Sequence, residues 1–171
     1  MRSHPGGYDQ TRELFALSGL KAGSAVLDMG AGSGASIPIA EIFGFNITAV
    51  DRDPLSEEVL KGDYLEDIFE PGTFDGVLSQ CSFYASGDQE KAISQACRFL
   101  KKGGILMLAD LFFEDAKTLL EGSGFEVLSI KDMTSLWREY YLEAVWKGSV
   151  PDCFFQPGRK ASYKSVICKK V

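Results

Sequence analysis

Histidine is almost absent from this sequence, whose 171 residues include a single one, His4. A zinc or iron centre built on imidazole ligands needs several histidines, so we expect no catalytic metal. The four cysteines, Cys81, Cys97, Cys153 and Cys168, form no CxxC pair, and a chain of this length does not need disulfides to fold. We therefore expect free thiols in a reducing, cytoplasmic compartment.

Long apolar runs are also absent, since none approaches the roughly 18 residues of a membrane span. Residues 1–11 are polar and glycine-rich, unlike a secretory signal peptide. We therefore expect no membrane partner. The hydrophobic share of 45% and the charged share of 25% are typical of a globular protein, and the length suits one domain, residues 1–171.

Excess positive charge is the third absence, because 18 Lys and Arg residues face 24 Asp and Glu residues, for a net charge of -6. Proteins that bind nucleic acids usually carry a basic stripe that neutralises phosphates. Here the basic residues form only short pairs, such as those at 101–102 and 169–170. The charge therefore argues against RNA or DNA as a partner.

What the sequence does contain is a regular alternation of apolar strand and helix patterns. Strands are predicted over 25–29, 46–50, 74–78, 105–111, 125–130 and 162–169, and helices over 8–20, 36–43, 88–100, 115–121 and 135–146. Such alternation predicts a parallel α/β sheet with helices on both faces. Ligands of these sheets bind beyond the carboxyl ends of the strands, where the strand order reverses.

A glycine-rich turn follows the first predicted strand, where residues 28–34 read D-M-G-A-G-S-G. Glycines let the backbone turn sharply and approach a ligand closely, and the helix behind them offers unpaired N–H groups. The spacing differs from the GxGxxG of dinucleotide-binding turns. Taken alone, the segment could also be an ordinary strand-to-helix turn.

The turn resembles the first motif of class I methyltransferases that depend on S-adenosyl-L-methionine (SAM). The resemblance implies SAM as the cofactor and assigns its methionine part to five residues of this segment. These are Asp28, Gly30, Ala31, Gly32 and Gly34.

An acidic residue, Asp51, ends the next predicted strand about 20 residues after Gly30. An acid at this spacing can bind ribose hydroxyls, in dinucleotide-binding proteins as well as in methyltransferases. The alternative is a solvated acid at a strand end. The neighbouring Arg52 either flanks the adenine or faces water.

Two later segments extend the resemblance. Residues 62–64, G-D-Y, resemble the segment that meets the adenine, so Asp63 would accept from the adenine amino group with Tyr64 beside it, unless Asp63 is simply a turn residue. Residues 78–83, L-S-Q-C-S-F, resemble the segment near the methyl group, which makes Ser79 and Gln80 candidate cofactor ligands. Cys81 is either a nucleophile or a small buried residue.

The resemblance spans residues 10–171 and implies a Rossmann-like, doubly wound, mostly parallel seven-stranded sheet with an antiparallel last strand. One region departs from the family, because too few residues separate Asp51 from Asp63 for the usual helix and third strand. We expect at most one helical turn near 56–59 and a rudimentary edge strand.

Two further segments allow more than one interpretation. The opening segment, which contains Pro5-Gly6-Gly7, is either a frayed terminus or a fold over the cofactor that brings Tyr8 or Arg12 near the methionine carboxylate. Residues 134–155 either cover the acceptor site or pack a helix onto the sheet or form a homodimer face. Their aromatic residues are Trp137, Tyr140, Tyr141, Trp146, Phe154 and Phe155.

Together these patterns predict a methyltransferase that uses SAM to methylate a small-molecule acceptor. The segment after the fourth predicted strand lacks the Asn-Pro-Pro-Tyr pattern, which resembles that of methyltransferases acting on amino groups of nucleic-acid bases. Its absence also favours a small acceptor. The alternatives are a SAM-binding module without turnover and an NAD(P)-dependent oxidoreductase. No side chain is assigned a catalytic role from the sequence.

Overall fold

A computed structural model describes residues 4–149 and 160–171, and its strands form one sheet. In chain order the strands are β1 Ala25–Met29, β2 Asn46–Asp51, β3 Leu60–Lys61, β4 Phe74–Gln80, β5 Leu100–Phe112, β6 Phe125–Asp132 and β7 Ser162–Lys170. The α-helices are α1 Gly7–Leu17, α2 Ile37–Ile42, α3 Gln89–Phe99, α4 Ala116–Gly122 and α5 Thr134–Trp146. A 3-10 turn, Tyr84–Ser86, lies between β4 and α3.

The strand order across the sheet is β3-β2-β1-β4-β5-β7-β6. Strands β1 to β5 run parallel, whereas β7 inserts antiparallel between β5 and β6. The chain runs outward from β1 to β3 and then returns to β4, so the strand order reverses between β1 and β4. This order confirms the predicted Rossmann-like fold and puts the reversal beside the glycine-rich turn.

Strand β1 is buried on both faces, as its apolar run predicts. Its alternating side chains enter two separate cores. Leu27 and Met29 join the core that contains Phe99 of α3, and Val26 joins the one that contains Phe15 of α1. Packing from both sides therefore fixes the position of the turn that follows β1.

The shortened third-strand region has the form that the residue count predicts. Residues 52–59 form bends and turns without a helix, and β3 has two residues, both exposed. The cause is length, because a regular parallel crossover takes a dozen or more residues.

The predicted element ends shift by a few residues. Helix α1 ends at Leu17 rather than at residue 20, because the backbone turns at Ser18 and Gly19 has φ +68°.

Asp75 lies at the amino ends of the strands, on the side of the sheet away from the glycine turn. It accepts from Ala25 N at 2.9 Å and pairs with Lys101. Asp75 thus ties β4 to β1. Among the described helices, none has the length and apolar character that crossing a membrane requires.

Leu108 lies fully buried in β5, between β4 and β7, and should carry much of the sheet's stability. We expect Leu108→Ala to lower the free energy of unfolding by about 2–5 kcal/mol, from lost apolar burial and the cavity left behind. Urea denaturation followed by circular dichroism measures this. Leu142→Ala, at a side chain that is 66% exposed, is the control and should change the value little; equal losses in both variants would contradict the assignment of the core.

Candidate active site

Two adjoining cavities open at the carboxyl ends of β1, β2 and β4, and they share Gly30 and Cys81. The first, here called the glycine-loop cavity, has a volume of about 340 Å³. It is lined by His4, Asp28, Gly30, Ala31, Gly32, Ser33, Ala35, Ser36, Leu55, Gln80 and Cys81. The second, here called the acidic cavity, has a volume of about 220 Å³. It is lined by Gly30, Asp51, Arg52, Asp53, Asp63, Tyr64, Cys81, Ser82, Ala85 and Ser86.

The glycine loop is attached to the end of β2 through its backbone. The N–H groups of Gly30 and Ala31 both donate to Val50 O, at 2.9 and 3.1 Å. Gly30 has φ +85°, and a Cβ there would lie 1.8 Å from Ser82 Oγ, so this position requires glycine. Gly32 also has positive φ, +55°, but a Cβ there would meet no atom within 4 Å. At Gly32 the missing side chain therefore leaves room for a ligand.

Asp28 lies in the wall of the glycine-loop cavity with 5% of its surface exposed. Ser36 Oγ donates to its carboxyl group. Burial, chiefly, raises the pKa of Asp28 to about 7, although the Ser36 bond opposes this shift. A cationic ligand group would compensate for the burial of the charge.

Asp51 ends β2 with both carboxylate oxygens bonded to backbone amides. Its Oδ2 accepts from Gly32 N at 2.8 Å, and its Oδ1 accepts from Asp53 N at 2.9 Å. Each carboxylate oxygen has a second lone pair, so the side chain can still accept hydrogen bonds from a ligand. Asp51 therefore links the glycine loop to the acidic cavity.

The far wall of the acidic cavity is held by Tyr64. Its hydroxyl donates to Ser82 O at 2.8 Å, and its ring packs against Phe83. Burial raises the pKa of Tyr64 to about 12, so the phenol stays neutral. Nearby, Asp63 Oδ1 accepts from Leu65 N at 2.9 Å, which is the bond of a turn residue. Asp63 nevertheless lines the cavity, so the turn and ligand roles are compatible.

Nine of the eleven residues predicted to bind the cofactor line one of the two cavities. The other two, Gly34 and Ser79, lie behind the walls. At Gly34 a Cβ would come within 2.8 Å of Ile37 Cδ1, and Ser79 Oγ donates to Met29 O at 3.0 Å in the buried sheet. The geometry gives these two residues a supporting position rather than a ligand-facing one.

Cys81 stands where the two cavities meet and is half-buried. Its φ of +55° is unusual for a residue with a side chain. Cys81 N donates to Ala109 O at 2.8 Å, and the thiol donates to Tyr163 OH at 3.5 Å. These contacts hold the chain in a sharp turn at the end of β4.

The sequence reasoning missed Asp110, a carboxyl group near the carboxyl end of β5 with 1% of its surface exposed. It accepts from Tyr84 N at 3.0 Å and from Leu111 N at 2.8 Å. Burial raises its pKa to about 7 despite these bonds. Asp110 thereby fixes the segment after β4 that walls the acidic cavity. In the sequence, this residue could have been noticed as the one acid within the apolar run 105–113.

The opening segment folds against the site, but with different residues from those predicted. His4 lines the glycine-loop cavity and is 8% exposed. Tyr8 and Arg12 line neither cavity; Tyr8 is half exposed, and the Arg12 guanidinium lies 5.8 Å from its ring centre. Of the opening segment, His4 therefore contributes to the wall of this site, whereas a role for Tyr8 or Arg12 at the methionine carboxylate has no support from the cavity walls.

The aromatic residues of α5 divide into two groups. Trp137, Tyr140 and Tyr141 pack against the sheet core, whereas Trp146 is 92% exposed. Phe154 and Phe155 lie outside the described residues. No residue of α5 lines either cavity. The packing interpretation thus accounts for three of these side chains, and a role over the acceptor site stays a prediction.

Comparison with known proteins identifies the family. A model described as a methyltransferase domain matches residues 5–151. The chain belongs to the class I SAM-dependent methyltransferases. The predicted family and its cofactor, SAM, are thereby confirmed.

Individual relatives agree with this assignment. An uncharacterized methyltransferase of Geobacillus sp. (strain WCH70) is 30% identical over 162 residues, covering 79% of this chain and 74% of that protein. A sarcosine/dimethylglycine N-methyltransferase of Halorhodospira halochloris is 35% identical over 104 residues, covering 51% of this chain and 37% of that protein.

A solved structure shows the same fold at lower identity. The phosphoethanolamine N-methyltransferase 2 of Haemonchus contortus, in complex with phosphomonomethylethanolamine and S-adenosylhomocysteine, has a TM-score of 0.72 and 19% identity. The match covers 98% of this chain and 53% of that one.

The cavities of this structure fit SAM. The open space at Gly32 accepts a ligand without displacing protein atoms, and Asp28 offers a buried acid for an ammonium group. The carboxylate of Asp51 lies at the neighbouring strand end, in reach of a sugar bound in the acidic cavity. These residues fit the two polar ends of the cofactor.

Gly32→Val tests whether the glycine loop is the binding surface. The added side chain projects into open cavity space, so we expect SAM binding to be lost while the fold persists. The φ of +55° adds about 1–2 kcal/mol of backbone strain. Isothermal titration calorimetry with SAM measures the binding, and thermal unfolding measures the strain.

Gly72→Val is the matched control, because Gly72 has φ +68° and a Cβ there would also meet no atom within 4 Å. It precedes β4 at the opposite edge of the sheet, so the strain is similar but the cavities are untouched. Undiminished SAM affinity in Gly32→Val would refute this binding surface.

Proposed function

We propose that this methyltransferase transfers the methyl group of SAM to a small-molecule acceptor, with the cofactor lying across the ends of β1 and β2. The observation that carries the proposal is the meeting of the two cavities at Gly30 and Cys81. One cavity offers the glycine loop and Asp28, and the other offers the strand-end carboxylate. An elongated ligand with an amino-acid end and a nucleoside end matches this pair.

Each end of the cofactor then has defined partners. The ammonium group of the methionine part lies at Asp28, and backbone groups of Gly30, Ala31 and Gly32 surround the rest of that part. Asp51 accepts from the ribose hydroxyls. On the nucleoside side, Asp63 accepts from the adenine amino group, with Tyr64 and Arg52 as neighbouring walls. Gln80, which lines the glycine-loop cavity next to Cys81, lies on the methionine side.

When bound, SAM supplies an activated methyl group on a sulfonium sulfur. The protein's part is to hold the acceptor atom in line with that methyl group, and alignment accounts for much of the rate in such reactions. Cys81 lies between the cavities and therefore beside the expected position of the sulfur. An amine or thiol acceptor attacks through its own lone pair and requires little more from the protein.

A small acceptor is supported by the charge of the chain. The net charge of -6 repels a polyanion on average, so a nucleic-acid acceptor is disfavoured. Relatives named above carry names of methyltransferases that act on small amines, sarcosine/dimethylglycine and phosphoethanolamine. We therefore place small amines first among the acceptors to be tested.

We also propose residues 134–155 as the cover of the acceptor entrance. The start of α5 faces the opening segment across a third cavity of about 440 Å³, which Leu136 and Gly6 both line. His4, two residues before Gly6, already reaches the glycine-loop cavity. The exposed Trp146 and Leu142 suit either this cover or a homodimer face. We propose a cytoplasmic location, which the thiols of Cys97 and Cys168 suit.

Asp51→Ala tests the nucleoside half of the site. It removes the acceptor of the ribose hydroxyls, and hydrogen bonds to charged groups contribute about 1.5–3 kcal/mol, so we expect SAM affinity to fall by about 10- to 100-fold. Titration calorimetry with SAM and S-adenosylhomocysteine gives the two dissociation constants. Glu58→Ala is the control, because it removes the same charge from an exposed neighbour in the 52–59 loop. Equal affinities in wild type and Asp51→Ala would count against the site.

Turnover is tested by incubating the protein with SAM and a panel of amines, thiols, phenols and arsenite. We expect S-adenosylhomocysteine and a singly methylated product for at least one acceptor, both read by mass spectrometry, and neither with Gly32→Val. SAM binding with no product across the panel would favour a binding module. Binding of NAD(P) in place of SAM would favour an oxidoreductase.

A further inference from the structure

The amino-acid end of SAM is a zwitterion, so its binding cavity has to satisfy a carboxylate as well as an ammonium group. The glycine-loop cavity provides one carboxyl side chain, Asp28, for the ammonium group. Among the described residues that line this cavity, His4 is the one side chain that can carry a positive charge. Arg52, the nearest alternative by sequence, lines the acidic cavity instead.

Building on the proposed function, we propose that His4 is the cation that binds the α-carboxylate of SAM, with the side-chain amide of Gln80 donating beside it. His4 and Gln80 line the same cavity as Asp28, and Gln80 Nε2 lies 3.4 Å from His4 Nδ1. The cavity then presents an acid and a base to the two charges of one amino-acid group.

Two of the contacts around His4 suit the protonated ring, and the third, from Gln80 Nε2 to Nδ1, suits the neutral ring of the free protein. Nδ1 lies 3.1 Å from Pro5 O, which can only accept, so that bond requires a proton on Nδ1. Nε2 lies 3.4 Å from Thr11 Oγ1. Thr11 Oγ1 donates its own proton to Gln80 Oε1 at 2.9 Å, so it can accept from Nε2. Both ring nitrogens can therefore hold protons in place.

The same network sets the orientation of Gln80. Because the amide oxygen accepts from Thr11, the Nε2 hydrogens point away from Thr11. One of them can donate to Nδ1 of the neutral ring, and the other is available to an acceptor in the cavity. Gln80 thus supplies the hydrogen bond, and the buried imidazolium supplies the charge.

Burial lowers the pKa of His4 below its ordinary value, so in the free protein at pH 7 the ring is mostly neutral. A bound carboxylate favours the charged form and draws a proton onto His4. Asp28 responds oppositely, because a bound ammonium favours its ionised form and releases a proton. The titratable side chains of this cavity wall are these two and Cys81, with Asp51 acting on Asp28 from the end of β2.

The test compares SAM with decarboxylated SAM, which lacks only the carboxylate, by titration calorimetry on the full chain at pH 7. We expect His4→Gln to weaken SAM binding by about tenfold, while its affinity for decarboxylated SAM stays within about twofold of wild type. His4→Arg, which restores a cation able to bind a carboxylate, should recover part of the loss. Lys21→Gln removes a positive charge before β1 and serves as the charge-matched control.

A second readout separates binding from a merely structural role. In buffers of different ionisation enthalpy, the His4→Gln complex with SAM should release more protons than the wild-type complex, because uptake at position 4 is gone. With decarboxylated SAM the two proteins should release equal numbers.

Three results would overturn the inference. If His4→Gln weakens both ligands equally, His4 only supports the fold of the opening segment, and the proposed function stands. If His4→Gln binds SAM as wild type does, another group holds the carboxylate. If wild type binds neither ligand, the proposed function fails together with this inference.

Discussion

The carboxyl end of β2 holds the glycine loop in place, and the site depends on this attachment. Val50 O accepts from Gly30 and Ala31, and the next residue, Asp51, accepts from Gly32. Because Met29 pairs with Val50 in register, a shift of either strand would break all three bonds. The loop therefore has its shape before a ligand arrives, and a preformed loop reduces the ordering cost of binding.

Burial of polar groups is the second constraint. Asp28 and Asp110 are both almost fully buried, each with its pKa raised to about 7, yet their surroundings differ. Asp110 is bonded to backbone amides of the protein and fixes the segment after β4. Asp28 accepts a hydrogen bond from Ser36 and faces a cavity. A cationic ligand bound there can supply the positive charge that compensates for the buried carboxylate. Similar carboxyl groups thus serve structure at one strand end and, in the proposed site, ligand binding at another.

The sequence predicted the features that depend on local pattern. The apolar run of β1, the glycine spacing and the acid at residue 51 pointed to residues that line the two cavities, and the residue count between Asp51 and Asp63 predicted the shortened third-strand region. It could not predict His4, because that side chain reaches the cavity only through the fold of the opening segment against β4. Nor could it predict that the side chain of Ser79 is buried within the sheet, where its hydroxyl donates to Met29 O.

Because the third-strand region is short, the two cavities are built from different kinds of structure. Strand β3 contributes two exposed residues, so the acidic cavity is bordered by loop residues instead of a full third strand. That border is held mainly by the Tyr64 bond to Ser82 and the turn at Asp63. The glycine-loop cavity, by contrast, is fixed by buried strands and backbone bonds. The amino-acid end of the cofactor, as proposed, therefore lies against buried strands, whereas its nucleoside end lies against loop residues.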